Sequence, residues 1–340
     1  MRALQIRRTQ PNKKKRIVYF IILSVGLVVA SLLYLYSKTY AKSMRVGIPM
    51  TPYALESILI RALPHLAGML VSALVIACVS LAFQTSTGSR ILTPSMVGFD
   101  SVFIGTQTFL VFFLGASAKI FANSYTNFFV TAGVMVAISM LMYGAILRNS
   151  KNNVIFLLLF GLILSGIIRS ASSYLQKIMD VNDYYQLQAA TAVTINNMNI
   201  KLIYAVAPIM LVLCSIMLIR HRTYDVLALG EANAKNLGVH FQKEINFNLI
   251  LISIGMSLCT ALIGSLTFLG LLAVNIAREL FKTHRHSILF IASSLAAALA
   301  LVFGQGITEL LQGAVPITVI IDVVGCSYMF YLILKENKKI

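Results

Sequence analysis

The sequence predicts an all-α polytopic membrane protein with about ten transmembrane helices. Three observations lead there. Of 340 residues, 58% are hydrophobic and 11% charged, with a mean hydropathy of +0.84, whereas a soluble domain carries about 25% charged residues. The apolar residues are gathered into ten runs, and the cations lie between them with a strong bias to alternate gaps, as the positive-inside rule requires of a membrane chain.

Taken in order, the first run, Ile17 to Ser37, has 21 residues and at helical rise covers about 31 Å, one bilayer core. The Lys13-Lys14-Lys15-Arg16 cluster before it resembles the start of a signal peptide. The run is longer than a usual signal core, has no clear small-x-small cleavage site and is followed by nine more, so a retained anchor is expected behind a basic tail, 1–16. Further spans are expected at 62–83, 96–114, 127–147, 154–175, 201–219, 246–265, 266–277, 288–306 and 317–334, the eighth being short for a full crossing. The transmembrane domain is thus 17–334, with one long polar loop at 220–244 and a polar tail at 335–340.

Orientation follows from Lys and Arg. With the N-terminus inside, the cytoplasmic segments hold 20 of the 28 cations, among them Arg90, Arg148, Lys151, Arg220, Arg222, Lys235, Lys243, Arg278, Lys282 and Arg285. Ten crossings then return the C-terminus, with Lys335, Lys338 and Lys339, to the cytoplasm.

The net charge of +17 does not indicate a nucleic-acid partner, because the cations are spread between apolar segments and form no basic face on a soluble domain. No metalloprotease, nucleophile-elbow or paired-carboxylate pattern is present, and no metal site or cofactor is implied. A phosphate-binding GxxxxGK[ST] loop is also missing, so if the chain pumps, another chain hydrolyses ATP. Cys78, Cys214, Cys259 and Cys326 fall inside apolar runs without metal or disulfide spacing and read as small core residues. Gly68-x-x-x-Ser72 and Gly161-x-x-x-Ser165 would let helices approach closely.

The loop segment Leu227-Ala228-Leu229-Gly230-Glu231-Ala232-Asn233-Ala234-Lys235-Asn236-Leu237-Gly238-Val239 resembles the element by which permease subunits of the iron-siderophore, haem and cobalamin ABC importers (FecCD-like, type II importers) grip their ATPase. Gly264 to Arg278 is similar to that family's Gly-Pro-x-x-Phe-x-Gly-Leu-x-x-Pro-His-x-x-Arg signature, and Thr283-His284-Arg285 to its Asp-His-Arg. Leu63-Pro64-His65 with Gln84, Val97-Gly98-Phe99-Asp100-Ser101, and Val315-Pro316-Ile317 with Gly325 extend the resemblance over 55–334. Ser265, Val274, Asn275, His65 and Asp100 depart from it, in ways similar to the branch that carries ferric catecholate siderophores of the petrobactin or anguibactin type.

The resemblance implies a permease for ferric siderophore uptake in the bacterial cell membrane, working by alternating access. Its expected partners are two P-loop ATPase subunits, an extracellular or periplasmic siderophore-binding protein or lipoprotein, and a second copy or similar permease, with the path between the two. Ala228, Leu229, Gly230, Glu231, Ala232, Asn236, Leu237 and Gly238 are the expected ATPase-coupling residues: a short helix, a turn at Gly230 and a second short helix ended by Gly238. Lys42, Arg45 and Arg61 are expected to receive acidic residues of the binding protein. Asp100, Ser101, Arg169 and Asp322 are candidates for the path or seam. An ionised group at membrane depth costs several kcal/mol unless paired or wet, so Asp100, Arg169, Glu309 and Asp322 either form internal pairs, Asp100 with Arg169 for example, or line the path. A permease for haem or cobalamin, a proton-coupled secondary transporter using those carboxylates, and an intramembrane enzyme are the competing readings.

Overall fold

In the computed structural model each of the ten apolar runs is carried by a helix. The structure describes residues 13–46, 52–115, 123–149, 154–193, 195 and 198–337, with backbone alone at 13, 40–46, 52–59, 61, 142–149, 154–158, 332, 333 and 335–337. Among these residues the order is α1 (Lys13–Val46), α2 (Pro52–Thr87), a 3-10 turn (Ser95–Val97), α3 (Phe99–Leu114), α4 (Ser124–Asn149), α5 (Val154–Ile178), α6 (Val181–Thr191) and α7 (Ile200–Ile219). There follow α8 (His221–Leu227), α9 (Glu231–Asn236), α10 (Phe241–Ile263), α11 (Leu269–Phe281), α12 (His286–Leu310) and α13 (Ile317–Asn337), with no strand. Six of them, α1, α2, α4, α7, α10 and α12, are long and apolar enough to cross a membrane. At 34 and 36 residues, α1 and α2 extend roughly 50 Å at helical rise, well beyond a bilayer core of about 30 Å.

An apolar helix without a polar face must lie inside a bundle or face lipid. Helix α2 takes the first course, packing on α12, α10, α7 and α11, with Met69, Ala73, Ala77, Leu81 and Phe83 fully buried. Helix α1 takes the second: it lies on α12 and leaves Ile17, Ile21, Val25, Val28 and Leu32 exposed. The bundle is tight where small residues meet. A methyl group on Gly255 would come within 2.7 Å of Val79, and one on Gly270 would overlap the Ser80 hydroxyl, so α10 and α11 lie flush on α2. Gly68 closes on Ile203, and Gly161 on Val97, so both small-residue motifs stand at close contacts.

Several buried hydroxyls are bonded inside their own helices. Thr85, Thr87, Ser139 and Ser253 each reach the carbonyl four residues back, at 2.7–2.9 Å, a bond that needs no second helix. Two acids among the apolar helices also have uncharged partners. Glu309 accepts from Gln305 at 3.2 Å, and Tyr328 donates to Glu279 at 2.9 Å. Cys78, Cys214 and Cys259 are buried, whereas Cys326 is exposed on α13 and is not a core residue of this chain.

Three details differ from the sequence-based expectation. The run at 96–114 is broken: a 3-10 turn and Gly98 precede α3. The seventh and eighth runs, adjacent in sequence, are parted by a turn from Gly264 to Phe268. Gly264 has φ +89°, and a methyl group on it would lie 3.1 Å from the Val193 Cα, a conformation and a clearance that only glycine tolerates. Helix α6 is not among the expected spans, being too polar to register as an apolar run. It starts because Asp180 accepts the Asn182 N–H at 2.8 Å, as an N-cap does.

Candidate functional site

The 220–244 loop is a compact helical pair. Arg220 and Glu244 form an ion pair at its base, and the Arg220 guanidinium lies 4.6 Å from the Phe247 ring centroid. Helix α8 runs from His221 to Leu227, the chain turns at Gly230 with φ +87°, and α9 runs from Glu231 to Asn236 before Gly238, at φ +79°, releases it towards α10. Open space surrounds the Gly230 α-carbon, so it is the backbone conformation that demands glycine there. Glu231 stands at the start of α9, where the helix dipole favours a carboxylate, and pairs with Lys235 at 2.7 Å.

The pair is held from below and open above. Tyr224, Leu227 and Ala234 are buried, while Ala228, Leu229, Gly230, Glu231, Ala232, Asn236, Leu237 and Gly238 line the open side, all eight exposed. Leu229 and Leu237 expose 55% and 60% of their surface, on a polar loop that joins α7 to α10. Burial pushes the Tyr224 phenol well above its ordinary range, so it stays protonated. Its ring packs on Phe290 edge-on, at 5.4 Å between centroids.

A second cluster lies where the two turns meet among the long helices. Asp100, in the first turn of α3, is buried, and its Oδ2 accepts the Thr267 hydroxyl at 2.7 Å. Asn275 on α11 donates to the Arg90 carbonyl at 3.1 Å and to the Leu271 carbonyl at 3.0 Å. Non-helical backbone at this depth is tolerable only where protein encloses it or water reaches it. Here the turn at 94–98 packs on α5, with Gly98 against Ser165, and the turn at 264–268 is met by α13, where a side chain on Gly325 would run into Phe268. Asp100 and Arg169 do not pair directly. The Arg169 Nη2 reaches the Ser101 Oγ at 3.4 Å, and Asp322, half-buried on α13, brings a second carboxyl group within electrostatic reach of Asp100.

Lys42, Arg45 and Arg61 fall on the helical backbone of α1 and α2, and their side chains lie outside the described residues. No group of three or more His, Cys, Asp or Glu placed to hold a metal ion occurs among the described residues. The element missed from the sequence is a bonded chain under α8. Asp225 Oδ1 accepts from the His286 backbone N–H and lies 2.7 Å from its ring Nδ1, and the ring Nε2 lies 2.9 Å from the Thr85 hydroxyl. Its members are 201 and 61 residues apart in sequence, so no local pattern points to it.

Comparison with known proteins places the chain in a family. The FecCD transport family model matches residues 17–335. The petrobactin import system permease protein YclO of Bacillus subtilis is 36% identical over 280 residues, 82% of this chain and 89% of that protein. The petrobactin import system permease protein FatC of Bacillus anthracis is 30% identical over 279 residues, 82% and 78% of the two chains, and the iron(3+)-hydroxamate import system permease protein FhuG of Bacillus subtilis is 26% identical over 282 residues, covering 80% and 83%. Among solved structures, an inward-facing metal-chelate type ABC transporter superposes with a TM-score of 0.78 at 20% identity, over 94% of this chain and 99% of that one.

Proposed function

The chain belongs to the FecCD transport family, and from that premise we propose that it is the transmembrane permease subunit of an ATP-driven importer of a ferric siderophore, set in the bacterial cell membrane. The observation that carries this reading is the exposed apolar face of α8 and α9 on a membrane chain that has no phosphate-binding loop of its own. Large apolar side chains gathered on a polar loop mark a protein–protein contact, and an importer without an ATP site needs a partner that has one. Ala228, Leu229, Gly230, Glu231, Ala232, Asn236, Leu237 and Gly238 form that contact, with a P-loop ATPase on the other side.

The names of the relatives support a siderophore of the petrobactin kind as cargo. The cation bias supports ten crossings with both termini in the cytoplasm, which puts α8 and α9 on the ATPase side and Lys42, Arg45 and Arg61 on the outer side. There the three cations orient a siderophore-binding protein through its acidic residues, contributing orientation more than affinity. A ferric siderophore is too large and polar to thread one bundle, so the path runs along the seam with a second permease, opened by small rigid-body tilts. Asp100, Ser101, Arg169 and Asp322 belong to the polar lining or the support of that seam.

The test is to co-purify the chain with its ATPase and binding protein, place the complex in liposomes, and measure ATP hydrolysis and iron-55 uptake with a panel of ferric siderophores that includes ferric petrobactin. Uptake that needs ATP and the binding protein is expected. Uptake driven by a proton gradient without any ATPase would overturn the reading. Gly230→Val, which forces φ strain onto the turn, and Glu231→Arg should both insert normally and lose the ATPase on purification. Wild-type retention in both would remove the coupling assignment.

A further inference from the structure

The hydrogen-bond chain from Asp225 through His286 to Thr85 lies beneath the exposed face and takes no part in it. We propose that this chain is the joint by which movement of α8 and α9 is passed to α12 and α2, which makes Asp225 and His286 positioning residues for energy coupling. The proposal rests on the reading of the α8–α9 face as the ATPase contact.

The geometry is that of a short, stiff link. Asp225 sits on α8 four residues before Leu229, and its Oδ1 takes two bonds from one residue, the His286 backbone N–H at 2.7 Å and the ring Nδ1 at 2.7 Å. A carboxylate can only accept, so the ring proton is on Nδ1. The first N–H groups of a helix have no partner within it, and its N-terminus carries partial positive charge. Asp225 therefore caps α12 from a different helix and grips it along its axis. On the far side of the ring, Nε2 is the acceptor and faces the Thr85 hydroxyl at 2.9 Å near the end of α2, the single hydroxyl proton being shared between Nε2 and the Leu81 carbonyl 2.8 Å away.

The ring has no freedom to absorb a displacement. The His286 side chain is 4% exposed, with Tyr224 stacked on it at 5.9 Å and Phe290 tilted against it at 6.2 Å. The helices it grips are the ones the bundle turns on: α12 packs on α1, α2 and α11, and α2 on α7 and α10 as well. Coupling needs a bonded element that moves as a unit, and a carboxylate–imidazole–hydroxyl chain locked between aromatic rings meets that need.

The experiment uses the complete complex in liposomes with iron-55 ferric petrobactin as probe, and reads ATPase retention, stimulated ATP hydrolysis and iron imported per ATP hydrolysed. Asp225→Ala and His286→Phe should keep the ATPase and hydrolyse ATP, yet import at least about tenfold less iron per ATP, the equivalent of one lost charge-assisted hydrogen bond. Asp225→Asn keeps an oxygen for the His286 backbone N–H, and His286→Asn keeps a donor near the place of Nδ1, so both should recover part of the ratio. An unchanged ratio overturns the proposal, as does an equal fall of hydrolysis and import, or a gain in the Asn variants no greater than in Asp225→Ala and His286→Phe. ATPase loss in Asp225→Ala would place Asp225 in docking and also overturns it. Failure of the underlying reading looks different: a complex carrying Leu229→Glu with Leu237→Glu would then retain the ATPase whatever the joint variants do.

Discussion

The helical pair at 221–236 and the paired turns at 94–98 and 264–268 depart from ordinary burial in opposite directions. The first holds two leucines in the open on a polar loop; the second encloses a carboxylate, a hydroxyl and an amide among apolar helices. What separates them is where the partner is found. In the turns it lies in the same chain, since Thr267 answers Asp100 and the Arg90 carbonyl answers Asn275. On the helical pair no described residue covers Leu229 or Leu237. Polar groups paired within the chain hold the fold together, whereas an uncovered apolar face invites assembly.

The largest break in that contrast is expected at Gly264. A valine there meets φ +89° and the Val193 side chain at 2.8 Å, so strain and overpacking together cost about 2–6 kcal/mol. Gly264→Val should abolish monodisperse protein on size-exclusion chromatography in detergent, and a wild-type elution profile and yield would show that the turn is looser than described. Next comes the double change Leu229→Glu with Leu237→Glu. Both positions are exposed, so yield and thermal midpoint should stay near wild type, while ATPase retained on purification falls at least about tenfold, as loss of central apolar contacts does. Undiminished retention would make the exposed leucines irrelevant to assembly.

A finer cut separates charge from hydrogen bonding at Asp100. Asp100→Asn keeps an oxygen for Thr267 and should alter uptake while leaving stability in place; Asp100→Leu strands that hydroxyl, at about 1–3 kcal/mol, and should lower the thermal midpoint as well. Wild-type uptake in both variants would reduce Asp100 to packing. The smallest effect is expected at Arg45 and Arg61. Arg45→Glu with Arg61→Glu should lower binding-protein-stimulated ATP hydrolysis a few-fold at low salt and little at high salt, each exposed pair being worth about 0.2–1 kcal/mol, with basal hydrolysis unmoved. Stimulation that is unchanged at low salt would remove those two residues from the interface.

The contrast also explains what the sequence can tell. The helical pair is legible because its signals are local: Gly230 and Gly238 fix the turns, and the spacing of Ala228, Leu229 and Ala232 describes the open face. The apolar runs are legible for the same reason, each being carried by a helix. The turns are not. Composition sets the seventh and eighth spans end to end, 246–265 and 266–277, and only the φ of Gly264, beside Val193, shows the turn that opens between them. Asp100 and Thr267 stand 167 residues apart, so the sequence offers Asp100 either accepted hydrogen bonds or a pair with Arg169 and cannot choose; in the fold it accepts from Thr267, and the Arg169 guanidinium reaches Ser101. Helix α6 escapes a reading by composition because its start depends on a cap at Asp180 and its body has no apolar periodicity.

The ion pair between Arg220 and Glu244 has a consequence for how fast and how cleanly a partner is met. It joins residues 24 positions apart, and closing a flexible chain of that length costs about 3 kcal/mol by chain statistics. That ordering is complete in the lone subunit. Association with a soluble partner then resembles the meeting of two preformed shapes, with little conformational entropy left to lose and an on-rate in the usual range of about 10^5–10^7 per molar per second. The heat-capacity change on binding should track the apolar area covered and nothing more, in contrast to a disordered loop that folds as it binds.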